Sequence, residues 1–120
     1  MTRDTLAMAY RPLMELPSIV TDRCAICGRA YPLEQHHIVW RSQGKLSRDG
    51  KEVPKPTITL CGFGNNLRGY DRRYFCHGRA HAHMLHFRNS GGKLEYLLTE
   101  EPTEYMRALG MDGWIRWRPR

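Results

Sequence analysis

The sequence predicts a small α+β domain: two antiparallel strands and a helix around bound metal, with a structural zinc holding the core together. All four cysteines lie between positions 24 and 76, and all six histidines lie between positions 36 and 86. Two short strand-like segments flank a long polar loop. The segment after the last cysteine carries histidines four residues apart, the spacing of one helix face.

Length and composition indicate one domain. The chain has 120 residues, of which 41% are hydrophobic and 26% charged, and this suffices for one modest core. Domains of this size often rely on a metal for part of their stability. We expect a core over about 24–88, a leader or arm over 1–22, and a C-terminal extension of helix and strand over 93–120.

The charge balance favours an anionic partner. Nineteen Lys and Arg against twelve acidic residues give a formal net charge of +7. Nucleic acid is the most frequent partner of such a chain, a membrane surface is the alternative, and plain solubility is the simplest reading. No apolar run approaches the ~20 residues of a membrane helix. Arg11 and Pro12 interrupt the mildly apolar leader, so we expect no signal peptide and a cytoplasmic location.

The elements are predicted in chain order from turn residues and periodicity. Proline-containing residues 1–20 form a short helical leader, packed on the domain or flexible, and a cysteine knuckle follows at 24–29. The remaining predictions are a strand at 33–39, a loop at 41–56, an antiparallel strand at 57–61, an irregular basic segment at 62–74, a helix at 75–88, a strand at 93–99, a helix at about 102–109, and a tail whose tryptophans pack back on the domain.

The four cysteines predict a closed zinc site. Cys24 and Cys27 are separated by two residues, so a tight turn can aim both sulfurs at one ion. Cys61 and Cys76 can complete the tetrahedron if the segment between them loops out. Four thiolates leave no open position, so this zinc would be structural. The alternative is a set of buried or free thiols.

The histidines predict a second, open metal site. His77 and His81 stack on one helix face, and His36 on the facing strand can supply a third imidazole. Three ligands leave room for water and phosphate. His37 points to the other face of its strand and, with the near-neutral pKa usual for imidazole, suits general-base work. His86 is expected to face solvent or to lie near phosphate.

These motifs together resemble the HNH endonuclease family, especially its small phage and prophage members and, around the histidines, the colicin nucleases. The resemblance rests on Cys-x2-Cys, the Glu-x-His-His-Ile segment, Leu-Cys-Gly at 60–62, and Cys-His-Gly at 76–78 continuing to His81. It covers roughly half of the chain. Two departures stand out: Pro56 and Thr57 occupy the region of the family's middle asparagine, and the segment between Cys61 and Cys76 is longer than usual.

The resemblance implies a ββα-metal fold and assigns roles to the residues. His36, His77 and His81 would bind one catalytic Mg²⁺, Mn²⁺, Ni²⁺ or Zn²⁺. His37 would be the general base, and Glu34 would position the metal site or polarise a histidine. The implied activity is cleavage of double-stranded DNA to 5′-phosphate and 3′-hydroxyl ends with low sequence specificity, in a homodimer or with a phage packaging partner.

Phosphate contacts and two rival functions complete the expectations. The candidate DNA contacts are Arg41, Lys45, Arg79 and Arg88, because neutralising phosphates supplies most sequence-independent affinity. The first rival is a catalytically weak or inactive zinc-stabilised module for nucleic-acid binding or assembly. The second is a purely structural protein with two zinc sites, which requires a fourth protein ligand at the histidine site.

Overall fold

The computed structural model describes residues 9–39, 46–53, 55–64 and 66–119. They form a small α+β fold with short helices and three antiparallel sheets. The elements are a 3₁₀ helix at Arg11–Glu15, then β1 (Leu33–His37), β2 (Leu46–Arg48), β3 (Lys51–Val53), β4 (Thr57–Cys61), α1 (Cys76–His81), β5 (Leu85–Ser90), β6 (Lys93–Leu98), α2 (Tyr105–Leu109) and β7 (Ile115–Arg116).

Strands β1 and β4 form the antiparallel pair that the sequence predicts. Leu33 lies opposite Cys61 and His37 lies opposite Thr57. Ile58 and Leu60 of β4 are completely buried, as expected for the β-branched and aliphatic residues of an inner strand. β1 ends at His37, two residues earlier than the predicted strand.

The predicted loop at 41–56 is wrong in its central part, where β2 and β3 form a hairpin. The two turn residues, Asp49 and Gly50, have φ values of 53° and 76°. Positive φ at both positions is the signature of a type I′ turn, for which Asp-Gly is a preferred pair. The dipeptide was therefore a hairpin signal. Residues 40–45 and 54 lie outside the described residues.

The helix predicted over 75–88 is also wrong in length, because α1 ends at His81. His83 has a φ of 60°, which ends the helical path. The chain then enters β5, which pairs with β6 across the turn at Gly91 and Gly92, and β6 ends one residue before the strand predicted at 93–99. Cross-strand pairing and burial of Leu85 and Phe87 outweigh the local helical periodicity.

His86 is buried rather than solvent-facing, which corrects its expected exposure. It is 5% exposed in β5, and its Nε2 lies 2.9 Å from the carbonyl oxygen of His83. Burial is the first cause that lowers the pKa of His86. A neutral imidazole donating one hydrogen bond fits this position, so His86 has a structural environment.

Both chain extensions pack on the common core. The leader contributes Leu13, which is 1% exposed, and the Tyr10 ring stacks on Tyr105 of α2 with centroids 4.3 Å apart. The indole N–H of Trp117 donates to the carbonyl of Ala25 at 2.9 Å, which confirms the packing of the tail. In the described part of the chain, no helix has the length and apolar character needed to cross a membrane.

The segment from Gly62 to Phe75 folds back on α1 through close glycine contacts. A Cβ on Gly78 would lie 2.7 Å from the Cα of Leu67 and would also collide with the carbonyl oxygen of Asn66. A Cβ on Gly62 would collide with the Cβ of His77. Helix and segment therefore approach at backbone distance, which only glycine permits.

We expect Gly78→Ala to destabilise the fold despite the better helix propensity of alanine. The clash is with backbone atoms, so the helix or the segment must shift, at a cost of about 1–3 kcal/mol. Gly110→Ala is the matched control, since its Cβ would meet only the Arg107 carbonyl oxygen at 3.6 Å. Denaturant unfolding measures both, and a Gly78→Ala chain as stable as wild type would contradict the packing described.

Candidate metal centres

The four cysteine sulfurs meet in one cluster. All four Sγ atoms lie within 4.8 Å of one another, and those of Cys27 and Cys61 are 3.6 Å apart. Four thiolates on a zinc at about 2.3 Å define a tetrahedron with edges of about 3.8 Å. The cysteines are free thiols rather than disulfides. The cluster could therefore hold a zinc ion, as the sequence predicts.

Local backbone structure positions the cysteines as two pairs. In the knuckle, the Cys24 N–H donates to the Arg29 carbonyl, and the Gly28 N–H donates to the Cys24 carbonyl, both at 2.9 Å. Cys61 ends β4, and the Cys76 N–H at the start of α1 donates to the Cys61 sulfur at 3.2 Å. The segment between Cys61 and Cys76 thus loops out while its ends meet.

Hydrogen bonds within the cysteine cluster shift the pKa values of its thiols in opposite directions. Hydrogen bonds from Cys27, and then from Cys61 and Cys76, lower the pKa of the Cys24 thiol. The hydrogen bond with Cys24 is the first cause that raises the pKa of Cys76. Thiolate is the form that binds zinc, so the thiol protons would leave to solvent as the ion binds.

Three histidines form the second cluster. The ligand nitrogens of His36, His77 and His81 lie within 4.8 Å of one another. The Nε2 atoms of His77 and His81 are 3.0 Å apart, while the His36 ring lies edge-on to both, with centroids at 5.0 and 5.5 Å. Neighbouring imidazole nitrogens at about 2.1 Å from one ion are separated by about 3.0–3.4 Å. The geometry fits a shared metal.

Glu34 holds His77 in the orientation that a ligand needs. Its Oε1 lies 3.0 Å from Nδ1 of His77 and accepts the Gly64 N–H at 2.8 Å. With Nδ1–H donated to the carboxylate, Nε2 carries the lone pair that faces the other histidines. A carboxylate behind a metal-binding histidine is a common arrangement in metal sites.

Burial favours the neutral form of His36 and His81. Burial, followed by the charges of His77 and His81, lowers the pKa of His36 to about 3. Burial and then His77 also lower the pKa of His81. Neutral imidazole is the metal-binding form, so protons compete weakly at these two positions near neutral pH.

His37 lies next to this cluster but outside the ligand set. It ends β1 opposite Thr57, and strand alternation turns it from the face that Glu34 and His36 share. The Thr57 hydroxyl accepts a hydrogen bond from the Gln35 amide at 3.1 Å. Thr57 therefore occupies the expected asparagine region while its hydroxyl is engaged by Gln35.

The predicted phosphate contacts are dispersed. Arg79 lies about 200° around α1 from His77, and its guanidinium lies 4.5 Å from the Tyr74 ring centroid. Arg88 lies in β5 rather than in a helix. Its guanidinium contacts Glu95 at 2.7 Å and lies 4.4 Å from the Trp114 ring centroid, so its charge is paired locally. Arg41 and Lys45 fall outside the described residues.

The Gly64 N–H is the part of the site that sequence reasoning missed. Every residue except proline carries such a donor, so no side-chain pattern marks the one that meets Glu34.

The chain matches no protein-family model, no curated protein and no solved structure. The site is therefore defined by its own geometry.

We expect purified protein to retain about one thiolate-bound zinc per chain, and Cys27→Ser to lose it, because three thiolates and a hydroxyl bind zinc less tightly. Cys27 is the exposed member of the cluster, so its replacement removes little packing. His36→Ala is the matched control and should keep the sulfur-bound ion. Metal analysis and the charge-transfer bands of Co²⁺-substituted protein report the site, and unchanged zinc content in Cys27→Ser would refute it.

Glu34→Gln should weaken divalent metal binding at the histidine cluster by about 10- to 100-fold. Glutamine keeps an oxygen for Gly64 but removes the negative charge behind His77. Titration calorimetry of zinc-loaded protein with Mn²⁺ or Ni²⁺ measures the change, and Glu100→Gln, at an exposed position, is the control. Equal affinities in the two variants would show that Glu34 does not support the ligand.

Proposed function

We propose that the protein is a metal-dependent DNA endonuclease of the HNH type, with its catalytic ion on His36, His77 and His81. The supporting observation is that two consecutive residues belong to clusters with different numbers of ligands. Cys76 belongs to a four-sulfur set that fills a tetrahedron, whereas His77 belongs to a set of three. Three-ligand sets leave positions open, as catalytic metals require.

The chain's own residues have separate tasks in the proposed reaction. Bound there, a divalent ion supplies electrostatic stabilisation of charge developing on the phosphate oxygens. His36, His77 and His81 hold the ion, and Glu34 keeps His77 in its ligating tautomer. His37, which no ligand set uses, takes the proton from the attacking water. Hydrolysis leaves 5′-phosphate and 3′-hydroxyl ends.

Low sequence specificity is part of the same proposal. The net charge of +7 favours phosphate contacts, which carry no sequence information. Helices α1 and α2 have six and five residues. Reading bases in the major groove generally uses a longer helix or a dedicated ribbon. We therefore place the protein with small phage or prophage nucleases whose targeting comes from a partner or from DNA structure.

One observation favours the alternative of an inactive zinc-stabilised DNA-binding or assembly module. The Thr57 hydroxyl, in the region of the family's asparagine, accepts its hydrogen bond from Gln35. Thr57 then does not hold the loop as the family's asparagine does, and a less precise orientation of the reacting groups lowers the rate. Cleavage activity separates the two functions.

Wild-type protein should nick supercoiled plasmid DNA in the presence of Mg²⁺, Mn²⁺, Ni²⁺ or Zn²⁺. His37→Ala should lower the rate by about 10²- to 10⁴-fold, the usual contribution of a general base, without changing metal affinity. His36→Ala should lower both. Rates come from gel-resolved nicking, and metal affinity comes from calorimetry.

His83→Asn is the control for these variants. His83 is exposed and has a positive φ, which asparagine tolerates, so folding and cleavage should be unchanged. Wild-type protein inactive with all four metals would support the non-catalytic module. Undiminished cleavage by His37→Ala would overturn the assigned base.

A further inference from the structure

The segment between Cys61 and Cys76, together with residues 29–32, builds an exposed face of aromatic rings and arginines, here called the aromatic–arginine face. Tyr70 is fully exposed, Tyr31 is 79% exposed and Phe63 is 65% exposed. They line an open groove of about 760 Å³ together with Arg29 and Arg68. Large rings are normally placed inside a small protein, so three exposed rings on one groove point to a ligand.

The charge around the groove favours an anion. Residues 62–75 contain three arginines and a single acidic residue, Asp71. Asp71 is neutralised by Arg29 at 3.0 Å and also accepts the Arg73 N–H at 3.1 Å. Aromatic rings combined with a net positive groove are the features of surfaces that bind single-stranded nucleic acid.

Two arginine side chains already stack on an aromatic ring at this face. The Arg68 guanidinium lies 3.9 Å from the Tyr74 ring centroid, and the Arg79 guanidinium lies 4.5 Å from the same centroid. Both side chains are thereby held against a ring, and a guanidinium held in this way can meet phosphate without losing much further conformational freedom. This gives Arg79 a place beside the groove segment instead of at the histidine face of α1.

The face is continuous with the histidine cluster. Gly62, directly before Phe63, packs on the Cβ of His77, and Gly64, directly after it, donates to Glu34. Phe63 therefore lies between two residues that touch the metal-site framework. A DNA strand at the histidines can reach this ring within a short stretch of backbone.

We propose that the aromatic–arginine face stacks unpaired DNA bases, so the substrate is DNA with a single-stranded segment next to the cleaved bond. In a duplex the faces of the bases are covered by their neighbours, whereas an unpaired strand offers them to Tyr31, Phe63 and Tyr70. The substrate preference rests on the proposed endonuclease function, whereas the binding of single-stranded DNA stands without it.

DNA binding is tested first, with zinc-loaded protein that carries His37→Ala. Fluorescence anisotropy at fixed salt compares a labelled single strand, the duplex of the same sequence, and an abasic strand of the same length. The single strand should bind more tightly than both others. Tyr70→Ala and Phe63→Ala should each weaken single-strand binding by about 5- to 150-fold, whereas Tyr70→Phe, which keeps the ring, should bind as tightly as the unsubstituted residue. Ile115→Ala, at an exposed position on β7, is the control and should not change binding.

The outcomes separate this inference from the proposed function. Equal or tighter binding of the duplex or the abasic strand, or unchanged binding by both alanine variants, overturns the stacking face. Plasmid nicking that persists in such a case leaves the nuclease intact. Selective single-strand binding without cleavage supports the face and refutes the nuclease. If the protein both binds single strands selectively and nicks plasmid DNA, bubble or flap DNA should be cut faster than blunt duplex, and Tyr70→Ala should remove that preference.

Discussion

The convergence of four cysteine sulfurs is the constraint on which the rest of the structure depends. Cys24 and Cys27 come from an N-terminal knuckle, Cys61 ends β4, and Cys76 begins α1, yet their sulfurs lie within 4.8 Å of one another. Four thiolates in one cluster repel one another unless a metal binds them, and the binding energy of a zinc ion there would add to the folding energy. For a chain with a core of this size, such a cross-link would replace much of what a larger interior supplies.

The same cross-link places the histidines. Because Cys61 lies opposite Leu33 in the β1–β4 pair and contacts Cys76, the start of α1 is held beside β1. His77 follows Cys76 directly, so it meets Glu34 and His36 on the facing strand. A closed sulfur set and an open imidazole set thus share one scaffold. In the proposed nuclease, the cysteine cluster would supply rigidity and the histidine cluster would hold the catalytic ion.

The tertiary structure changes the interpretation of the segment from Gly62 to Phe75 more than that of the other predicted segments. The sequence predicts only an irregular basic segment there, longer than is usual in the family that the chain resembles. In the fold it is anchored by Gly62 and Gly78 against α1 and by Gly64 against Glu34. Arg29 joins it to the knuckle through Asp71. A segment tied at so many points is part of the site's framework, and its exposed rings are presented on a defined surface.

Spacing in the sequence was enough to predict the cysteine cluster, the histidine cluster and the β1–β4 pair, because cysteine and histidine positions limit which side chains can reach one ion. Tertiary structure alone decided the rest. Helical periodicity at 75–88 was overridden when β5 found a partner in β6, and the Asp49–Gly50 turn made a hairpin where a loop was expected. The hydrogen bond from Gly64 to Glu34 also had no sequence signal. Each of these depends on contacts between distant segments, whose energies exceed the local preferences that a sequence pattern reports.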